Sequence, residues 1–476
     1  MGAATSKPVQ TPATAAKAPE KPGFPVEHAQ ASTTSSNRRQ SVPIHHHASA
    51  DRLHRIAGQN HLSEQEANQN EDRPANVGLR LDDYKAWQAK VEDDPVARLA
   101  SLTLHAADIK ASLHSRKSEV SGSKPVFNTV INHENSTITN QASSGRCWLF
   151  ATCNIIRNIM AKTLNVEEFE LSQSYLFFAD HCEKANYFLE TALALYDVPI
   201  DEPGRGGQLK EAVNDGGQWD MAVNLLLKYG VVPKAVYPES WNSSSTGGID
   251  KLTTTKLRQA SVRLRKLKSQ TIARLTASGV SLESAEDHAN TVARKAKNQY
   301  LEEIFKLLLV TNGAPPRPDE RFTYEYRDRQ GKYRCIESTP LDFLSRYAPS
   351  FNPRDYASLV HDPRHDADVL MTVDRLGNVI EGFPVRYVSV SMDDLKAATI
   401  RQIKAGHPAW YGCDVGQSSD TKAGVGILDS DLFDYKAAFG MDFAMTKAER
   451  IEMGESTMTH GESSTDALVQ NQTNVH

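Results

Sequence analysis

A chain of 476 residues is long enough for two or three domain-sized units, and its formal net charge of −5 argues against a general polyanion binder. Five cysteines, scattered and never in CxxC spacing, supply neither a disulfide framework nor a zinc ligand set, so no metal site and no cofactor are expected. No apolar run approaches the roughly 18 residues a membrane-spanning helix needs, and no apolar segment near the start marks a secretory signal.

Residues 1–75 are rich in Ala, Thr, Ser, Pro, Gln and Asn and almost free of aromatic residues. Such a stretch buries too little apolar surface to offset its ordering entropy and reads as a disordered tail. Met1 to Ser6 fit the myristoylation pattern, which makes Gly2 a lipidation candidate; a chance match is the competing reading. The first 50 residues hold five Lys/Arg against only Glu20 and Glu27. The expected compartment is the reducing cytoplasm, with a mitochondrial fraction as the minority alternative. His45, His46 and His47 read as solvated side chains.

The ordered chain is expected to begin near Leu79 and Leu81. Its most informative stretch is a Ser/Gly loop running into SSGRCWLFA at residues 143–151. Positions 148, 151, 155 and 159 share one helical face and 149, 152, 156 and 160 another, all apolar or small enough for a helix buried on nearly every side, reaching about Leu164. Cys147 then stands at the helix N-terminus, where unpaired N–H groups and the helix dipole favour an anion. The thiolate is the nucleophilic form of cysteine, so Cys147 is the candidate nucleophile, whereas Cys153 reads as core packing. Gln141, six residues before Cys147, carries an amide that can donate to a developing oxyanion beside the Cys147 N–H.

Gly216 and Gly217 let backbone approach an extended peptide, which makes them substrate-binding candidates; a tight turn is the competing reading. Asn214 or Asp215 is expected to cap the helix that opens near Trp219. Residues 251–309 combine eleven basic positions, from Lys251 to Lys297, with apolar residues at helical spacing (Leu257, Val262, Leu264, Leu267; Tyr300, Ile304, Leu307, Leu308). Gly279 and Ser281 suit a break between two helices. The basic face reads as solvated; a partner or nucleic-acid surface is the alternative. Beyond about residue 320 the texture turns to short β-type runs, at residues 322–326, 383–390 and 409–411.

Residues 140–151 resemble the nucleophile motif of papain-like cysteine peptidases of the bleomycin hydrolase family. Further stretches are similar to that family: ELSQSYLFF at 170–178, EKANYFL at 183–189, NDGGQWD at 214–220, KYGVVPK at 228–234, YPES at 237–240, TYEYRD at 323–328, WYGCDVG at 410–416, KAER at 447–450 and GESTMTH at 454–460. The resemblance covers about four-fifths of the chain. It implies an α+β papain-like fold: a helical half with the nucleophile at residues 76–250, a helical insertion at 251–309, and a β-rich half at 310–460. It also implies that His460 is the general base, that peptide and amide bonds are cleaved, with bleomycin and homocysteine thiolactone among the substrates, and that the chain forms a homohexamer.

After His460 the expected pattern changes. The family continues into an apolar strand, an Asn-Ser-Trp-Gly motif that orients the histidine, and a C-terminal arm that restricts cleavage to the substrate's N-terminal end. Residues 461–476 offer no alternating apolar run and no Trp, and neither Asn471 nor Asn474 has the matching context. The expectation is therefore an incomplete β half that lacks the strands after the histidine, the product of a truncated or mis-spliced frame. The alternative to an active peptidase is a catalytically impaired oligomeric or nucleic-acid-binding homologue.

Overall fold

The structure, a computed structural model, describes residues 78–122, 126–131, 138–202, 212–416, 419–420, 427–428, 432–464 and 466–467. Gly2, the three tail histidines, Asn471 and Asn474 lie outside these residues. The chain divides into units at 1–85 and 86–476, and the described part of the first holds only the opening of helix α1 (Leu81–Asp93). Helices α2 (Pro95–Leu104), α3 (Ile109–Ser112) and α4 (Arg116–Gly122) follow.

The core is built on three helices: α5 (Cys147–Leu164), α6 (Gln173–Ala194) and α7 (Trp219–Tyr229). In α5 the residues Trp148, Leu149, Ile155, Ile156 and Met160 are all buried, as a helix apolar on several faces requires. It stops at Asn165, which takes the left-handed conformation (φ 55°) and returns its N–H to Ala161 and Lys162. Ser172 caps α6 by accepting the Tyr175 N–H, while its own hydroxyl donates to the Tyr237 carbonyl. Helix α7 departs from expectation. Gln218 is its N-cap residue and no side chain caps it, because the Asp215 carboxylate faces the loop before Cys147 instead.

After the short α8 (Trp241–Ser244), residues 251–309 lie within a hairpin of two long helices, α9 (Gly247–Ala277) and α10 (Leu282–Asn312). They part at Gly279 (φ +86°), and Ser281 caps α10. Leu257, Ala260 and Leu264 of α9, and Ala293, Ile304 and Leu308 of α10, belong to the same buried cluster as α5, α6 and α7. Val262 is exposed, one residue off that stripe. Several basic side chains are held by acceptors: Lys297 donates to Asn186 and Glu190, Arg294 to Glu190, Lys268 to the Leu193 carbonyl, and Lys256 pairs with Glu303. The charge of this face is therefore partly neutralised by α6 and by the hairpin itself.

Helices α11 (Pro340–Tyr347), α12 (Met392–Lys404), α13 (Tyr435–Phe439) and α14 (Lys447–Glu452) are interspersed with short strands. Strand β1 (Thr129–Val130) lies before the core helices; β2 (Phe322–Arg327) and β3 (Tyr333–Ser338) form a hairpin. β4 (Leu359–Val360), β5 (Leu370–Thr372) and β6 (Arg386–Ser389) make a three-stranded sheet in the order β4-β6-β5. β7 (Ala409–Cys413) pairs antiparallel with β10 (His460–Ser464), β8 (Ser419–Asp420) with β9 (Ile427–Leu428), and β1 with β11 (Asp466–Ala467). The expectation that no strand follows His460 is thus overturned. His460 opposes Cys413, Gly461 opposes Gly412 and Ser464 opposes Ala409. Such pairing uses backbone N–H and C=O groups, so a polar, non-alternating sequence can form it. Among the described helices none is long and apolar enough to cross a membrane.

Leu308 is fully buried. Leu308→Ala is expected to cost about 2–5 kcal/mol, read as a lower urea midpoint for the main unfolding transition, because the hairpin shares the central core. An unchanged main transition would show that the hairpin folds apart.

Candidate active site

The loop before α5 is fixed from several directions before any chemistry is considered. Ser143 donates its N–H to the Ser244 carbonyl (2.9 Å), and the Gly145 N–H donates to Asp215 Oδ2 (2.8 Å). The Thr246 hydroxyl donates to the same Asp215 oxygen. The Asp215 backbone carbonyl accepts the Trp148 indole N–H at 2.5 Å. Burial alone would raise the Asp215 carboxyl, but the Thr246 hydroxyl, the nearby His181 and the Gly145 N–H hold it below its ordinary value. Lys184 secures the neighbouring backbone by donating to the carbonyls of Asn214 (2.8 Å) and Gly216 (2.6 Å).

Arg146, one residue before the nucleophile, is 1% exposed. Its guanidinium pairs with Glu239 at 3.1 Å, donates to Ser144 and Ser174, and lies over the Phe150 and Phe177 rings. Burial lowers its pKa and Glu239 opposes the shift. Removing one partner of such a buried pair costs about 3–5 kcal/mol. The arginine therefore anchors the loop and leaves Cys147 at the edge of solvent.

Cys147 begins α5 and is partly exposed in a cleft of about 510 Å³. Gln141, Asn154, His460 and Gly461 line the same cleft. The Gly461 N–H donates to Cys147 Sγ at 3.3 Å, so the first turn of α5 and the first residues of β10 meet at the sulfur. A Cβ added at Gly461 would lie 3.4 Å from Trp148 Cα, in ordinary van der Waals contact, so the strand runs directly against the head of α5. Trp410 of β7 donates its indole N–H to the Trp148 carbonyl (3.3 Å), a second tie between the strand pair and α5. Gln141 directs one amide hydrogen to the Ser144 carbonyl (2.6 Å); the amide carries two, leaving one for a ligand.

The structure thus brings Cys147, His460 and Gln141 to one cleft and leaves two candidates outside it. Gly216 lines a separate pocket with Lys184 and Asn214. Gly217 lies against the Trp148 ring, where an added Cβ would come within 2.6 Å of ring carbons, so packing accounts for its lack of a side chain. Asp215, Arg146 and Trp410 are the positioning residues that sequence reasoning missed. Asp215 lies in the NDGGQWD stretch, where either it or Asn214 is expected as a helix cap; its carboxylate holds Gly145 and Thr246 instead.

Two further cysteines lie on the core helices, Cys153 on α5 and Cys182 on α6. Desolvation pushes the Cys182 thiol up to about 12 and raises that of Cys153 as well. At mildly alkaline pH, iodoacetamide is expected to modify Cys147 and to spare Cys153 and Cys182 in the folded chain, read by peptide mass spectrometry. Modification of Cys153 as fast as Cys147 would contradict this assignment.

Comparisons with known proteins agree with this geometry. The profile of the Peptidase C1-like family matches residues 78–475, so the similarity continues beyond His460, where it had been expected to stop. Bleomycin hydrolase of Mus musculus is 38% identical over 392 residues, covering 81% of this chain and 81% of that protein. Aminopeptidase C of Listeria innocua is 36% identical, covering 80% of this chain and 81% of its own length. Cysteine proteinase 1, mitochondrial, of Saccharomyces cerevisiae is 36% identical, with 80% and 76% covered. Among solved structures, PepW of Lactobacillus rhamnosis HN001 superposes with a TM-score of 0.74 at 35% identity, covering 83% of this chain and 84% of that one. The chain belongs to the Peptidase C1-like family.

Proposed function

We propose that this cysteine peptidase is an aminopeptidase of the bleomycin hydrolase type, with Cys147 as nucleophile, His460 as general base and acid, and Gln141 with the Cys147 N–H as the oxyanion site. The observation that carries the reading is the meeting of α5 and β10 at the sulfur: Gly461 donates to Cys147 Sγ, and its neighbour His460 lines the same cleft.

The chemistry follows from those groups. Cys147 sulfur attacks the scissile carbonyl carbon, and the proton it gives up resides on His460. The carbonyl oxygen becomes an oxyanion, met by the N–H at the head of α5 and the second Gln141 amide hydrogen. Collapse breaks the C–N bond while His460 protonates the leaving amine, giving a thioester on Cys147. Water then attacks the thioester, His460 takes its proton, and collapse returns the carboxylate product and the free sulfur.

The names of the relatives support peptides, aminoacyl amides and bleomycin as substrates; homocysteine thiolactone, an activated acyl compound, is open to the same attack. A homohexamer belongs to the proposal, and exposed apolar residues on α2, Leu99 and Leu102, are compatible with a covered surface. A cytoplasmic location with a mitochondrial fraction is proposed on the same footing.

With aminoacyl fluorogenic substrates, Cys147→Ala is expected to reduce turnover to background. Gln141→Ala is expected to lower kcat about 10²–10³-fold with a smaller change in KM. Retained turnover in Cys147→Ala would reject the mechanism, and a Gln141→Ala loss confined to KM would reject the oxyanion role.

A further inference from the structure

Behind the nucleophile loop, on the side of Asp215 that the reaction does not use, lies a second cluster of polar groups. His181 of α6 is completely buried, and its Nε2 lies 2.9 Å from Asp250 Oδ1 and 3.7 Å from Asp215 Oδ1. Asp250 is in the first turn of α9. Asp215 Oδ2 is occupied by Gly145 and Thr246, but Oδ1, on a side chain only 6% exposed, has no hydrogen-bond partner. A buried, unpartnered carboxylate oxygen is costly. This one is aimed at the imidazole and the second carboxylate, and the three ligand atoms lie within 4.8 Å of one another. One proton on His181 Nε2 reaches Asp250, and without an ion Asp215 Oδ1 can be served only by a further proton shared with the Asp250 carboxyl. A single cation at the centre would reach all three.

We propose that His181 Nε2, Asp215 Oδ1 and a carboxylate oxygen of Asp250 form a binding site for a divalent first-row metal ion of tetrahedral preference, Zn²⁺ in the first place. Bonds of about 2.0–2.2 Å to tetrahedral zinc set ligand atoms about 3.4 Å apart. The two separations from His181 Nε2, 2.9 and 3.7 Å, bracket that value, and the third, between the carboxylates, is within 4.8 Å and would close as they turn toward a shared ion. Two carboxylates neutralise a dication, and an imidazole nitrogen selects zinc or its neighbours over Mg²⁺ and Ca²⁺, which take six or more oxygen ligands. The Asp250 side chain is 25% exposed and gives the ion a route from solvent. No sequence motif announces the set, because its members come from α6, the loop before α7 and the start of α9.

The site would act on the peptidase through Asp215. An ion on Oδ1 fixes the carboxylate whose other oxygen holds Gly145, two residues before Cys147. Metal occupancy would therefore stabilise the fold and stiffen the nucleophile loop, without the ion touching substrate.

The test uses the full chain carrying Cys147→Ala with His45→Ala, His46→Ala and His47→Ala, which removes the cleft thiol and the tail histidines as competing ligands. After EDTA treatment, equilibrium dialysis against Zn²⁺ is expected to give one tight ion per chain and a raised Tm reversed by EDTA. Co²⁺ is expected to give the intense visible bands of a tetrahedral complex with no thiolate charge-transfer band. Asp250→Asn, a partly exposed position whose amide can still bond His181, and His181→Gln are each expected to weaken binding tenfold or more. Absence of a tight ion, an octahedral Co²⁺ spectrum, or equal binding in folded Asp250→Asn would overturn the proposal. The stoichiometry and spectrum of the parent decide the matter alone if a variant fails to fold.

Discussion

The constraint on which the rest of the structure depends is the grip of Asp215 on the loop before Cys147. Its side chain holds Gly145 and Thr246, and its backbone carbonyl holds the Trp148 indole, so one residue fixes the chain on both sides of the nucleophile. A helix N-terminus can favour an anion only if the turn leading into it is rigid enough to keep the sulfur on the axis. Here the turn is held by hydrogen bonds that are shielded from water and therefore stronger than they would be at the surface. Gly217 extends the arrangement, since the indole lies where its side chain would be.

Buried charge is used in the same region to set position. Arg146 and Glu239, Lys184 and Asp180, and Lys228 and Glu183 are ion pairs with at least one partner almost wholly withdrawn from solvent. Such pairs add little net stability but penalise any arrangement that separates them. The helical hairpin adds to this frame. Its apolar stripe joins the central core, and Lys268, Arg294 and Lys297 bond acceptors on α6, so part of the basic character evident in the sequence is internal wiring.

Much of the catalytic half was legible in the sequence because local physics decides it. A Ser/Gly loop followed by an all-round apolar segment can only become a buried helix entered from a turn, and Cys147 stands where that reading puts it. The hairpin break at Gly279 was legible for the same reason, since a positive φ and a serine cap are local signals. What failed was long-range. Asn214 or Asp215 reads from the sequence as a helix cap, yet Gln218 is the N-cap residue and the Asp215 carboxylate bonds groups 70 and 31 positions away in the chain. Strand β10 lacks apolar alternation, yet its backbone pairs with β7 from His460 opposite Cys413 to Ser464 opposite Ala409. The ligand cluster of His181, Asp215 and Asp250 carries no spacing signal, because three separate elements supply it.

The central claim is that a sulfur from the helical half and an imidazole from the strand pair act on one carbonyl. A crystal structure of the full chain with an amino-acid aldehyde tests it most directly. The account predicts a hemithioacetal on Cys147, its oxygen facing the Gln141 amide and the Cys147 N–H, with the His460 ring within hydrogen-bond reach of the adduct. An adduct on another residue, or an imidazole of His460 turned out of the cleft with the oxygen facing solvent, would contradict it.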